Sequence, residues 1–90
     1  MSALQVFYDG RVQGVGFRYS VKQIAKGFNV SGWVRNLPDG RVELQIAGEE
    51  DELRAFLDAI RESELRALIK DESENDLAAP PVARGFEIRP

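Results

Sequence analysis

The chain has 90 residues, a formal net charge of -3 at pH 7, and neither cysteine nor histidine. A chain of this length is expected to form one domain, residues 1–90, whose single core leaves room only for a shallow site near an edge. The missing residue types exclude disulfides, thiolate nucleophiles, imidazole acid–base catalysis and most zinc sites. The acidic charge argues against non-specific nucleic-acid binding. With no signal peptide and no apolar run of about 20 residues, we expect a cytoplasmic protein that does not bind membranes.

The first half of the chain predicts a strand, a helix and a β-hairpin. Residues 4–8 are rich in β-forming residues and predict the first strand. An apolar stripe at helical spacing follows, and Gly27 and Asn29 are expected to end that helix. The stripe consists of Phe17, Val21, Ile24 and Phe28. Strands are then expected at 30–36 and 41–47, joined by a Pro-Asp-Gly turn.

The second half predicts one more helix and one or two strands. Residues 49–60 combine an acidic start with an apolar face, which indicates a helix. Residues 65–69 fit either a fourth strand or an extension of that helix, and the acidic residues 70–79 are expected to form a solvated loop. Phe86 and Ile88 share one face of a short closing strand. This βαββαβ order predicts an α+β fold, a ferredoxin-like α/β sandwich with two helices on one face of an antiparallel sheet and a short extra C-terminal strand.

The segment Gly10-Arg-Val-Gln-Gly-Val-Gly-Phe-Arg18 places three glycines between the first strand and the first helix. Such a turn presents backbone N–H groups and the positive end of a helix dipole to one concavity, which suits phosphate. Arg18 adds a fork of donors that matches phosphate oxygens. The spacing fits neither a Walker loop nor a dinucleotide-binding fingerprint, so nucleoside triphosphates and nicotinamide cofactors are not supported.

Asn36 ends the second predicted strand. In this fold the first and second strands run parallel on either side of the third, so the glycine turn and the end of the second strand lie at one sheet edge. We therefore expect Arg18 and Asn36 to face one pocket. The simpler interpretation is that the glycines only make a tight connection and that Asn36 makes a local turn bond. The two motifs together favour a ligand site.

Residues 10–18, Gly32-Trp-Val-Arg-Asn36 and Asp39-Gly-Arg-Val-Glu43 closely resemble the signature of the acylphosphatase family. That family consists of small ferredoxin-like enzymes that hydrolyse carboxyl-phosphate anhydrides. The resemblance implies that Arg18 is the catalytic, phosphate-binding arginine and that Asn36 is the catalytic residue that positions the attacking water. It also implies that the phosphate is cradled by the backbone of five residues: Gln13, Gly14, Val15, Gly16 and Phe17.

The implied chemistry agrees with the composition. An acyl phosphate leaves as a carboxylate whose conjugate acid has a pKa of about 4, so it needs no general acid, and positioning and charge stabilisation do most of the work of phosphoryl transfer. We therefore expect an enzyme without metal or cofactor, monomeric, with a small-molecule acyl phosphate as substrate and inorganic phosphate as product and competitive inhibitor. The alternatives are a non-catalytic anion-binding or regulatory module of the same fold and a single-stranded RNA binder. The RNA binder is disfavoured because residues 41–47 contain no aromatic side chain.

Overall fold

The computed structural model describes residues 1–14 and 16–90. Within these residues the chain forms two α-helices, five strands and one short 3-10 helix. In chain order they are β1 (Ser2–Gly10), α1 (Phe17–Ala25), β2 (Val30–Asn36), β3 (Val42–Gly48), α2 (Glu50–Arg61), the 3-10 helix (Glu64–Leu68), β4 (Ile69–Asp76) and β5 (Phe86–Arg89). The described strands form one sheet in the order β4-β1-β3-β2-β5.

The core lies between the sheet and the two helices. Alternate residues of β1 point into it, namely Leu4, Val6 and Tyr8, as a strand with one covered face requires. The apolar face of α2 lies at helical spacing and is fully buried. Because both helices share one core cluster with the strands, they cover the same face of the sheet. The predicted ferredoxin-like α+β sandwich is confirmed.

The prediction of a solvated loop over residues 70–79 was wrong for residues 70–76, which belong to β4. This edge strand pairs antiparallel with β1, and its glutamates lie opposite buried residues of β1, as in the pair Tyr8 and Glu72. Arginines of α2 neutralise these carboxylates: Arg54 Nη1 lies 2.7 Å from Glu74 and Arg61 Nη2 lies 2.6 Å from Glu72. Ion pairs to α2 therefore hold the glutamates of this strand, while Ile69 at its start packs against the core. The charge of the strand discourages edge-to-edge pairing.

Residues 65–69 were predicted to form either a fourth strand or an extension of the second helix, and neither prediction holds for the whole segment. The 3-10 helix occupies Glu64–Leu68, and β4 begins at Ile69. Ser63 precedes this turn, and its Oγ accepts a hydrogen bond from the Leu65 N–H at 3.1 Å. This local cap separates the turn from α2, so the chain changes direction there instead of continuing the helix.

The C-terminal strand β5 pairs in parallel with β2, from Gly32 opposite Phe86 to Arg35 opposite Arg89. The sheet is therefore mixed, with an antiparallel four-stranded part and one added parallel strand. Since β3 is antiparallel to both β1 and β2, the strands β1, β2 and β5 all run in one direction. Their carboxyl ends lie at one edge of the sheet.

The sheet face opposite the helices carries a buried carboxylate. Glu43 is 3% exposed and accepts hydrogen bonds from Gln5 Nε2 at 2.8 Å, Gln45 Nε2 at 2.9 Å and Arg35 Nε at 2.9 Å. Burial raises the pKa of Glu43, but the hydrogen bonds from the two glutamines and Arg35 outweigh it, and the net shift is downward. This network joins β1, β2 and β3 across the sheet.

In the described part of the chain, neither helix is long and apolar enough to cross a membrane.

Candidate active site

An open cavity of about 170 Å³ lies at the sheet edge where β1 and β2 end and α1 begins. The described residues that line it come from the glycine turn, α1, β2 and β5: Val12, Gly14, Gly16, Phe17, Arg18, Tyr19, Asn36 and Ile88. Arg18 and Asn36 therefore meet in one cavity, as the strand order predicts. The cavity lies at an edge of the domain, beside the carboxyl ends of β1 and β2.

The glycine turn bends through two left-handed residues, Gly14 with φ 75° and Gly16 with φ 76°. A Cβ atom at either position meets no described heavy atom within 4 Å, so the turn leaves open space beside its backbone. The Gly16 carbonyl accepts the first hydrogen bond of α1, from Ser20 N–H at 3.0 Å. The earlier N–H groups of α1 have no acceptor inside the helix and face beyond its start. Val15, predicted as part of the phosphate cradle, lies outside the described residues.

The two helices begin in opposite electrostatic settings. The first turn of α2 holds three carboxylates, at Glu50, Asp51 and Glu52, which complement the positive end of its dipole. The first turn of α1 has no acidic residue and, among the described residues, no side chain that caps it. It carries the cation Arg18 instead. Because this charge and the dipole have the same sign, the start of α1 is suited to a bound anion.

Arg18 is held by the C-terminal strand. Its Nη1 donates a hydrogen bond to the backbone carbonyl of Arg89 at 2.8 Å. The ion pairs among the described residues do not include Arg18. Since a guanidinium has five N–H donors in a fixed plane, this anchor leaves further donors for an oxyanion in the cavity.

Asn36 brings a buried acceptor to the cavity. Its Oδ1 is buried and accepts no hydrogen bond from the described residues. A buried polar atom in this state costs about 1–3 kcal/mol relative to a paired one. The amide of Asn36 can both donate and accept, so its position suits contact with a water molecule or with a polar ligand in the cavity.

Gln13 ties the glycine turn to the β2–β3 turn. Its Nε2 donates to the carbonyl of Leu37 at 2.8 Å and to that of Arg41 at 2.9 Å. Gln13 is not among the residues that line the described part of the cavity, although the resemblance implies a backbone role for it in the cradle. In the β2–β3 turn, hydrogen bonds from the backbone and side chain of Arg41 lower the pKa of Asp39. Asp39 is therefore a turn residue, as predicted.

Phe17 anchors the start of α1 in the core. Its ring contacts that of Tyr8, with 5.4 Å between the ring centroids. Burial raises the pKa of the Tyr8 phenol above its ordinary value, and the nearby Glu72 carboxylate raises it further. Tyr8 is thus neutral at ordinary pH, and its ring packs against Phe17 at the end of the glycine turn.

Three lining residues were not predicted as site residues: Val12, Tyr19 and Ile88. Tyr19 directly follows Arg18 in the first turn of α1. Its position next to a predicted site residue could therefore have identified it from the sequence. Ile88 reaches the cavity because β5 lies beside β2. The sequence predicts the closing strand but does not say which strand it joins.

The fold and the cavity define a small α+β domain suited to holding an oxyanion at a sheet edge. The family model for acylphosphatase matches residues 4–88. The acylphosphatase of Archaeoglobus fulgidus is 43% identical over 91 aligned residues, which cover 99% of this chain and 84% of that protein. The crystal structure of acylphosphatase from Bacillus subtilis matches with a TM-score of 0.87 and 36% identity over 99% of both chains. The structure of an acylphosphatase from Coxiella burnetii matches with a TM-score of 0.83 and 31% identity, covering 98% of this chain and 92% of that one. The chain belongs to the acylphosphatase family and is an enzyme of the hydrolase class.

Proposed function

We propose that this protein hydrolyses acyl phosphates to a carboxylate and inorganic phosphate by attack of water on phosphorus. The observation that carries the proposal is the meeting of Arg18 and Asn36 in one small cavity at the start of α1. Membership of the acylphosphatase family supports the reaction class. The uncompensated positive charge at the start of α1 supports a phosphoryl group as the part of the substrate that binds there.

In this mechanism Arg18 and the backbone N–H groups of residues 13–17 bind the phosphate oxygens. Their charge-assisted hydrogen bonds stabilise the negative charge that spreads over these oxygens in the transition state. The Arg89 carbonyl orients the guanidinium through the Nη1 hydrogen bond. Gln13 contributes through its side chain by fixing the glycine turn against the β2–β3 turn.

Asn36 orients the attacking water through its side-chain amide. The water oxygen forms a new bond to phosphorus while the bond from phosphorus to the acyl oxygen breaks, with the two oxygens in line. The carboxylate leaves with the electron pair and needs no protonation because its conjugate acid has a pKa of about 4. The proton of the water passes to an oxygen of the phosphate itself.

The same proposal covers the protein's other properties. Residues 1–90 form one monomeric domain that acts in the cytoplasm without metal or cofactor. Inorganic phosphate occupies the same cavity as a product and competes with the substrate. Phosphate monoesters are poor substrates, since their alkoxide leaving groups are far more basic than a carboxylate and receive no proton from this site.

The test is hydrolysis of benzoyl phosphate, followed by ultraviolet absorbance, with and without a chelator. Wild-type protein is expected to turn over with no effect of the chelator, and Arg18→Gln is expected to lose at least about 10²-fold in kcat/KM. Arg11→Gln is the matched control, because Arg11 is exposed and is not among the described lining residues. Its activity should equal that of the wild type.

Two results would contradict the proposal. Folded wild-type protein without turnover would favour the non-catalytic anion-binding module, and phosphate titration would then measure its affinity. Full activity in Arg18→Gln would place the reaction elsewhere on the molecule.

A further inference from the structure

A groove of about 340 Å³ lies between α1 and the 3-10 helix that follows α2. Tyr19, Gln23 and Ile24 of α1 contribute to one wall, and Leu65 contributes to the other. The residue that lines both this groove and the anion cavity is Tyr19, which is 62% exposed. Among the described residues, Tyr19 is therefore the one that borders both depressions.

The anion cavity and the groove differ in volume, and this difference indicates which part of a substrate each can bind. The anion cavity, at about 170 Å³, is half the size of the groove and lies below the range of about 300–1,000 Å³ that is typical of pockets for whole small molecules. The hydrogen-bond donors of the anion cavity can bind a phosphoryl group and one water molecule. The rest of a larger acyl phosphate must extend beyond this cavity. The groove beside Tyr19 offers the missing space.

The chemistry of the groove favours an apolar, uncharged group. Ile24 supplies aliphatic surface and Tyr19 supplies an aromatic ring, while Leu65 lines the groove but is only 3% exposed. The Ser63 hydroxyl in the wall is already used, since it donates to the Ile60 carbonyl at 2.7 Å and accepts from Leu65 N–H. Glu64 adds an exposed carboxylate to the lining, which repels an acyl group carrying its own negative charge.

We infer that this groove binds the acyl group of the substrate and that the enzyme selects acyl phosphates of apolar, uncharged carboxylic acids, aryl acids among them. Tyr19 is the specificity-determining residue, because it borders both depressions. The inference rests on the proposed function and adds to it the class of acyl group.

The test compares kcat/KM for benzoyl phosphate and acetyl phosphate, whose phosphoryl groups are the same and whose acyl groups differ in size. Tyr19→Ala is expected to lower the ratio of benzoyl to acetyl values about tenfold, the lower end of what an apolar contact contributes to discrimination. Gln23→Leu adds apolar surface to the groove and should raise the ratio severalfold without changing inhibition by phosphate. Lys26→Leu is the control, because Lys26 is exposed at the end of α1 and is not among the groove residues.

The outcomes separate the inference from the function on which it rests. If both substrates lose the same factor in Tyr19→Ala and Gln23→Leu leaves the ratio unchanged, the groove does not bind the acyl group, while the hydrolysis itself stands. If folded wild-type protein turns over neither substrate, the proposed function is wrong and the inference fails with it. A ratio that moves down in Tyr19→Ala and up in Gln23→Leu, but not in Lys26→Leu, supports the inference.

Discussion

Replacing Arg18 by glutamine is expected to leave the stability of the free protein nearly unchanged. The lost hydrogen bond from Arg18 Nη1 to the Arg89 carbonyl, 2.8 Å long, contributes about 0.5–1.5 kcal/mol. In the other direction, removing a cation from the first turn of α1 relieves a repulsion with the helix dipole of about 0.3–1 kcal/mol. The two effects oppose each other, so the free energy of unfolding should change by less than about 1.5 kcal/mol. For a domain of this size, 1 kcal/mol corresponds to about 4–8 °C in Tm.

Phosphate should separate the two proteins. A ligand that binds only the folded state stabilises it by about 2.7 kcal/mol at 100 times its Kd, which raises the wild-type Tm by at least about 10 °C. In Arg18→Gln the hydrogen bonds from the guanidinium to phosphate are lost, at about 1.5–3 kcal/mol each, so most of this gain should disappear. The assay is thermal unfolding against phosphate concentration at constant ionic strength, with Arg11→Gln as the control.

Two results would refute this reasoning. If Arg18→Gln loses several kcal/mol without phosphate, the guanidinium is a structural element of the fold and not primarily a ligand-binding group. If phosphate raises the Tm of Arg18→Gln as much as that of the wild type, the anion binds at another place.

Three further changes test the rest of the site and the sheet. Asn36→Ala should lower kcat by about 10²-fold or more while phosphate still binds in titration calorimetry; weak phosphate binding would show instead that Asn36 holds the ligand or the fold. Gln13→Ala removes two hydrogen bonds to the β2–β3 turn and should cost about 1–3 kcal/mol in chemical unfolding and raise KM; unchanged values of both would contradict the bridging role. The lowered pKa of Glu43 means that its contribution to stability is present above its unfolded pKa of 4.5 and is lost as pH falls through the lower folded value. The free energy of unfolding of Glu43→Gln should therefore fall less below about pH 4.5 than that of the wild type. An equally steep fall in both proteins would contradict this prediction.

The regular elements could be predicted because their patterns are local. The buried positions of α2 recur at helical spacing, and apolar and polar residues alternate along β3. The turn that joins β3 to β2 contains a proline and a glycine that fix its geometry. The strand β4 could not be predicted in this way. Its glutamates at 72 and 74 are stabilised by Arg61 and Arg54, which lie 11 and 20 residues away in the sequence. The sequence around β4 contains the glutamate of each ion pair but not its arginine. Such an acidic stretch by itself indicates a loop.

The parts of the site that belong to sequence motifs could be predicted. The glycine turn and Arg18 are adjacent in the sequence, and the meeting with Asn36 follows from the parallel direction of β1 and β2. The bridge from the Gln13 amide was not predictable, because it depends on where two carbonyls of the β2–β3 turn point. The contribution of Ile88 depends on the pairing of β5 with β2, which its four residues do not specify by themselves.

The direction of the strands explains why the site is complete at this edge of the sheet. β1, β2 and β5 run parallel, and each brings a different group to the cavity from its carboxyl end. β1 leads into the glycine turn, β2 ends at Asn36, and β5 supplies Ile88 to the wall and the Arg89 carbonyl to Arg18. Asn36, Ile88 and the Arg89 carbonyl belong to two neighbouring strands of one hydrogen-bonded sheet, so the register between β2 and β5 fixes their separations. The acidic strand β4 pairs with β1 on its other side, at the far edge of the sheet from β5. Its unusual composition therefore changes the outer surface of the sandwich while the three strand ends that build the site keep their arrangement.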